Sequence, residues 1–321
     1  MCLYPRKIKI KRKIVRKIYD TDLGQYVIED PPTYRSGEFI TVPCGHCIEC
    51  SRQISNEWAF RICDEAKKYD KNCCVTLTYN DEHLPEGGLL VKRDYQLFLK
   101  RFRKAIYPNK VRFFVSGEYG SKNARPHFHI ILFGYYPPDC VYKFTRNGRD
   151  FFISDFVQSV WGYETDDNTK FKYYNKFYDV LGHILVGPLD MHTAFYTAKY
   201  LQKAIDFGKE VKPFVAMSRR PGIGGELDPN QLVTDKLVVD GRYIRLPRYY
   251  LNRFLKAGYD LDVAVIRSLR QARAKRIDSM RMADSNYFHD LALRIRRSRS
   301  LFHVFYRTNK KSFHRAIDNF S

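Results

Sequence analysis

The stretch RPHFHIILFG, residues 125–134, narrows most what this chain can fold into. Pro126 before it and Gly134 after it bound a run of strand composition, so side chains alternate along it. His127 and His129 share one face while Phe128 and Ile130 share the other. The segment from Tyr119 to Pro126 contains Gly120, Ser121, Asn123 and Pro126 and reads as a hairpin loop, with VRFFVSGE (111–118) as the preceding strand. A hairpin that closes evenly there puts Glu118 opposite His127, and directly opposed residues point to the same face with Cβ atoms roughly 5 Å apart. Glu118, His127 and His129 would then supply two nitrogens and one carboxylate, a divalent metal site suited to Lewis-acid chemistry. The plainer alternative is a pair of solvent-facing histidines on a half-exposed strand.

Elsewhere helix and strand periods alternate. Ile54, Trp58, Ile62 and Ala66 make a helical stripe within 53–69, CCVTLTY (73–79) reads as a buried strand, and Leu97, Phe98, Phe102 and Ala105 mark a helix over 95–106. The order helix, strand, helix, strand, strand implies an α+β fold, an antiparallel sheet with helices on one face. FFISDFVQSVWG (151–162) looks helical, GHILVGPL (182–189) looks like a strand, and helical periodicity returns over 192–204. Residues 6–18 alternate basic and branched apolar residues, as an edge strand with a basic outer face or a polyphosphate-binding arm would, and 30–43 reads as a loop. A loop with RRPGIGGELDP follows Lys209, and from Pro247 the chain is helical and basic. The expected organisation is an N-terminal basic and Cys-rich segment (1–52), a core (53–208) and a basic, largely helical C-terminal region (209–321).

With 44% apolar residues the chain can bury a core, and its net charge of +21 speaks for a polyphosphate partner. Aromatic content of 15%, interleaved with basic residues, suits single-strand binding, although most rings should fill the core. No run of transmembrane length and no signal-peptide pattern is present in the sequence, so no membrane partner and a cytosolic setting are expected.

YTAKYLQK (196–203) repeats Tyr-x-x-Lys, which places Tyr196, Lys199, Tyr200 and Lys203 on one helix face. A tyrosine oxygen can attack phosphorus to form a covalent intermediate, and lysines can stabilise the developing charge. Taken alone, Tyr and Lys on a helix surface are commonplace. Cys44, Cys47 and Cys50 recur at spacing three in CGHCIEC, resembling a zinc knuckle in which Cys2 or His46 would be the fourth ligand. Reduced thiols opening a helix are the alternative, and Cys63, Cys73 and Cys74 read as packing residues. His83, beside Pro85, reads as a turn residue.

VTLTY (75–79), GEYG followed by RPHFHIILFG, and YTAKYLQK, in that order, resemble the three motifs of rolling-circle replication initiators of the HUH endonuclease superfamily. With MCLYP, PCGHCIEC, LTYNDEHLP (77–85) and RLPRYYL (245–251), the chain is similar more narrowly to the replication initiators of gokushoviruses, small single-stranded DNA phages of the Microviridae. The resemblance extends to about residue 255. It implies the HUH endonuclease fold, Mg²⁺ or Mn²⁺ on Glu118, His127 and His129, and Tyr196 and Tyr200 as alternating nucleophiles with Lys199 beside them. It implies nicking of the phage origin through a 5′-phosphotyrosine, leaving a 3′-OH, with single-stranded and origin DNA, host helicase and host polymerase as partners in the bacterial cytoplasm. Two other readings compete: a non-catalytic single-strand nucleic-acid-binding regulator, and a relaxase or transposase of the same superfamily. The sequence contains no GxxxxGK[ST] phosphate loop.

Overall fold

The computed structural model describes residues 6–9, 17–20, 25–28, 39–44, 48–120, 123–199, 210–224, 236–239, 242–283, 286 and 293. Chain order is β1 (Arg6–Lys9), β2 (Lys17–Asp20), β3 (Gln25–Ile28), β4 (Phe39–Val42), α1 (Ile48–Ala66), β5 (Asn72–Thr78), α2 (Lys92–Ala105), β6 (Arg112–Tyr119) and β7 (Pro126–Phe133). It continues with β8 (Val141–Arg146), β9 (Arg149–Ile153), α3 (Asp155–Val160), β10 (Gly162–Thr165), β11 (Phe171–Tyr173), β12 (Lys176–Val180), β13 (Ile184–Pro188) and α4 (Met191–Lys199). The remainder is β14 (Phe214–Met217), β15 (Lys236–Val239), β16 (Arg242–Arg245), α5 (Arg248–Lys256) and α6 (Asp260–Ala283).

The chain divides into two compact units. One, Ile54–Glu226, is built on a seven-stranded sheet of order β14-β6-β7-β5-β13-β9-β8, antiparallel at every step. The α+β class and the antiparallel sheet carrying the His-x-His strand are as the sequence implies, and the architecture is consistent with an HUH-like fold. Helices cover both faces, however, not one. Tyr95, Phe98, Leu99 and Phe102 of α2, with Val157 and Val160 of α3, pack on Val75, Leu77, Val115, Phe128, Ile130 and Leu132. On the opposite face Ala59 and Ile62 of α1 and Ala194 of α4 pack on Cys74, Phe114, Ile131 and Phe133. A central strand with apolar residues at both parities has to be buried on both sides, and β7 is one from Ile130 to Phe133.

Three further expectations need correction. Helix over 151–162 is confined to Asp155–Val160, because Phe151 and Phe152 belong to the sheet and the Ser154 side chain accepts a hydrogen bond from Val157 N–H as the N-cap. The 30–43 loop contains β4, which pairs with β1, and the loop after Lys209 contains β14, which pairs with β6. The basic segment 6–18 contributes β1 and the start of β2, with 10–16 outside the described residues.

The second unit, 1–53 with 227–321, contains β1–β4, the β15–β16 hairpin, α5 and α6. Tyr250, Leu251 and Phe254 of α5 are buried, as are Val263 and Ile266 of α6, and Arg270 donates to the Leu246 carbonyl. Among the described residues no helix is long and apolar enough to cross a membrane.

Candidate metal centre

Two successive rows of side chains on the α1/α4 face of the sheet make the site. In one, Thr78, His127 and Glu118 stand side by side on β5, β7 and β6; in the next, Thr76, His129 and Ser116 do. Glu118 is therefore directly opposite His127 and diagonal to His129, within reach of both. Its Oε1 lies 2.7 Å from His127 Nε2 and 3.0 Å from His129 Nε2. The two rings are nearly perpendicular with centroids 5.1 Å apart.

The far side of each ring is also held. His127 Nδ1 is 3.1 Å from the Arg125 carbonyl, which accepts as well from Gly120 N–H across the hairpin loop. His129 Nδ1 is 3.0 Å from Thr76 Oγ1. Arg125 is itself fixed, donating to the Tyr79 carbonyl at 2.9 Å and pairing with Asp81.

A carbonyl only accepts, so His127 carries its proton on Nδ1 and a neutral ring turns the Nε2 lone pair toward a carboxylate oxygen. Such a contact between two acceptors is resolved by a second proton on the ring, by a proton on the carboxyl, or by a cation that both groups ligate. Burial raises the Glu118 carboxyl, but hydrogen bonds from His127 and His129 and the charge on both rings more than offset it, holding the group below its ordinary value. Glu118 is 3% exposed, and its Oε2 is buried without a hydrogen-bond partner. Two imidazole nitrogens and a carboxylate, with ligand atoms within 4.8 Å of one another and a lone pair to spare, fit a divalent cation in composition and spacing.

α4 brings a phenol to this cluster. Asp190 caps the helix, its side chain accepting from Thr193 N–H and its carbonyl from Ala194 N–H. Fully buried Ala194, Thr197 and Ala198 let the helix approach the sheet closely. Tyr196, 45% exposed, meets the edge of His129 with ring centroids 5.8 Å apart at 83°. Lys199 is the last residue of α4; its side chain, Tyr200 and Lys203 lie outside the described residues.

Cys44 and Cys50 place their Sγ atoms 3.9 Å apart, with Cys50 buried in the first turn of α1, whereas Cys2, His46 and Cys47 lie outside the described residues. Cys73 and Cys74 are core residues, and burial pushes the Cys74 thiol up to about 12. His83 is a turn residue bonded to Asn80 and paired with Asp179; Glu82, His83 and Asp179 also lie close enough to hold a cation, but Lys170 already bridges Glu82 and Asp179. Thr76 and the Arg125 carbonyl, the supports of the rings, were not foreseen from sequence. Thr76 and Thr78 at alternate positions of a strand were the available signal, but only the β5–β7 register brings Thr76 to His129.

Fold and cluster together define a class: an α+β protein with an HUH-like sheet and a Glu and His-x-His cluster that could hold a metal ion. Residues 72–205 match the family model described as replication-associated protein ORF2, the span that holds every element of the cluster. Replication-associated protein VP4 of Bdellovibrio phage phiMH2K is 29% identical over 67% of this chain and 67% of its own length. Replication-associated protein ORF4 of Chlamydia phage 1 is 27% identical over 72% of the chain and 58% of its own length, and replication-associated protein ORF2 of Spiroplasma virus 4 is 33% identical over 56% and 52%. The matches thus span between about half and two thirds of these relatives. The chain is thus similar to replication-associated proteins of three phages. No solved structure matches the chain.

Proposed function

We propose that the chain acts in phage DNA replication as a metal-dependent, site-specific single-strand DNA endonuclease and joining enzyme that initiates rolling-circle synthesis. The observation that carries this reading is the convergence of Glu118, His127 and His129 beside the Tyr196 ring. A cation such as Mg²⁺ or Mn²⁺ on those three residues would supply Lewis-acid polarisation of the scissile phosphate. Tyr196 is the nucleophile: its phenolic oxygen bonds to phosphorus as the P–O3′ bond breaks, the phenol proton is lost, and O3′ gains a proton to leave as a free 3′-OH. The 5′-phosphate stays esterified to tyrosine, and attack by a 3′-OH reverses the step with no outside energy source. Tyr200, four residues on, is the second nucleophile that lets cutting and joining alternate, and Lys199 stabilises charge at the phosphate. Single-stranded and origin DNA are the substrates, the host helicase and polymerase the partners, and the bacterial cytoplasm the setting.

The test is incubation with end-labelled circular phage single strand and Mn²⁺, followed by denaturing electrophoresis. A metal-dependent covalent adduct, lost in Tyr196→Phe, is the expected result, and Tyr200→Phe ranks the second tyrosine. No adduct on any origin-bearing substrate would leave a binding protein without chemistry.

The cysteine cluster adds a structural Zn²⁺ to this proposal. Tetrahedral zinc with Zn–S of about 2.3 Å separates its sulfurs by about 3.8 Å, which the 3.9 Å between Cys44 and Cys50 matches and a disulfide does not. Cys47, with Cys2 or His46, would complete the set.

A further inference from the structure

We infer that the β8–β9 hairpin is a stacking platform for single-stranded DNA; the inference rests on the proposed function and places part of its substrate. The hairpin closes on Asn147 and Gly148, both at positive φ (54° and 70°), the backbone that a two-residue turn of matching twist needs. β8 is the outer edge of the seven-stranded sheet, and all six of its residues are exposed. Among them Val141 is 61%, Tyr142 57% and Phe144 36% exposed, apolar surface that an edge strand ordinarily avoids.

A bulge between Tyr142 and Phe144 breaks the register: Tyr142 pairs with Phe152, but Phe144 pairs with Phe151. The extra residue, Lys143, thereby sends the two exposed rings to opposite faces of the sheet. Phe152 stands opposite Val186, whose side faces the α2 core. Phe151 lies on the other face, over Gly187, the face that also bears Thr76, His127 and His129. Phe144 and Phe151 stack there, centroids 5.2 Å apart and planes at 30°. Four inter-strand steps separate β8 from β7, about 19 Å at about 4.8 Å each, a span of a few nucleotides. Lys143 and Arg146 are exposed on the same strand, and Arg149 pairs with Asp190, the cap of the helix that carries Tyr196. The Phe144–Phe151 ring pair, on the face of the metal cluster, with cations beside it to meet phosphates, favours single-stranded DNA over an added protein strand, which would take the bare backbone edge and need neither rings nor cations.

The test uses the full chain with a chelator present, so that binding is read without cleavage, and fluorescein-labelled oligothymidine as the probe, followed by anisotropy. Phe144→Ala, on the face of the metal cluster, is expected to weaken binding about 10-fold, and Tyr142→Ala, on the opposite face, to leave it unchanged. Replacing both Lys143 and Arg146 by Ala should flatten the salt dependence by about 0.7 for each phosphate no longer neutralised. Tyr174→Ala, which removes a 78% exposed ring elsewhere, serves as control. Wild-type affinity in Phe144→Ala, or an equal loss in Tyr142→Ala or Tyr174→Ala, overturns the platform. Unchanged binding alongside a metal-dependent adduct in the wild type sinks the platform alone; weakened binding with no adduct under any condition sinks the nuclease alone.

Discussion

One carboxylate oxygen serves two imidazoles at the centre of the site, and their outer nitrogens rest on a backbone carbonyl and a threonine hydroxyl. Supports of this kind orient metal ligands, and their removal ordinarily costs 10- to 100-fold in affinity. Thr76→Val is therefore expected to weaken Mn²⁺ binding, measured by titration calorimetry, by about 10- to 100-fold, while Thr76→Ser restores it; equal affinities in all three proteins would exclude a positioning role. Glu118→Gln should abolish binding in the same assay. A second buried carboxylate, Glu65, meets Arg112 at 2.7 Å and accepts from Gly224 N–H, while Arg112 also donates to the Pro221 carbonyl. Arg112→Met would leave Glu65, 1% exposed, with only the Lys68 ammonium at 3.9 Å as counter-charge, at a cost of up to about 3 kcal/mol in denaturant unfolding. A loss under about 1 kcal/mol would mean that Glu65 finds water instead. Glu118, His127 and His129 were legible in sequence because nine residues and one turn fix their relation. Thr76 was not, because its partner stands more than fifty positions away and only sheet order joins them.

At the scale of elements, α4 depends on Asp190, which ends β13's connection, caps the helix and pairs with Arg149 at 3.2 Å. Burial raises the Asp190 carboxyl, but hydrogen bonds from Thr193 and the Arg149 pair outweigh this and hold it below its ordinary value. A depressed carboxylate contributes stability above its unfolded value of about 3.9 and loses it as pH falls through the folded value. Asp190→Asn keeps a capping group but removes the charge, so the wild type should melt higher by a constant margin from about pH 5 to 7 and lose that margin below about pH 4. A margin that does not shrink at all as the pH falls from about 5 to about 2 would assign the effect to shape, not charge. Helices with a strong apolar stripe, α1 and α2, were readable from periodicity. The β8–β9 hairpin carried its signal in Asn147-Gly148 between aromatic strands, a turn signature the periodicity reading passed over. β14, four residues of FVAM, has too little length for any period to show; its place comes from pairing with β6.

Over the whole molecule the proposed function gives the basic charge and the sheet one partner, and the cysteine cluster is the test that does not involve DNA. The full chain should retain about one zinc per molecule, as a tetrahedral thiolate site does, and Cys44→Ser or Cys50→Ser should lower the content found by elemental analysis. Zinc-free wild type purified from zinc-supplemented cells would return these thiols to packing. Compactness joins 1–53 with 227–321, and proximity between distant segments leaves no trace in local composition. β6 has a further consequence in its edges. One is closed at once by β7, but the other waits for β14, and Phe214 follows Tyr119 by 95 residues. At the roughly 5–20 residues per second of bacterial synthesis, the strand RFFVSGEY leaves the ribosome with an open side for about 5–20 s, long enough for a chaperone or a neighbouring nascent chain to reach it first.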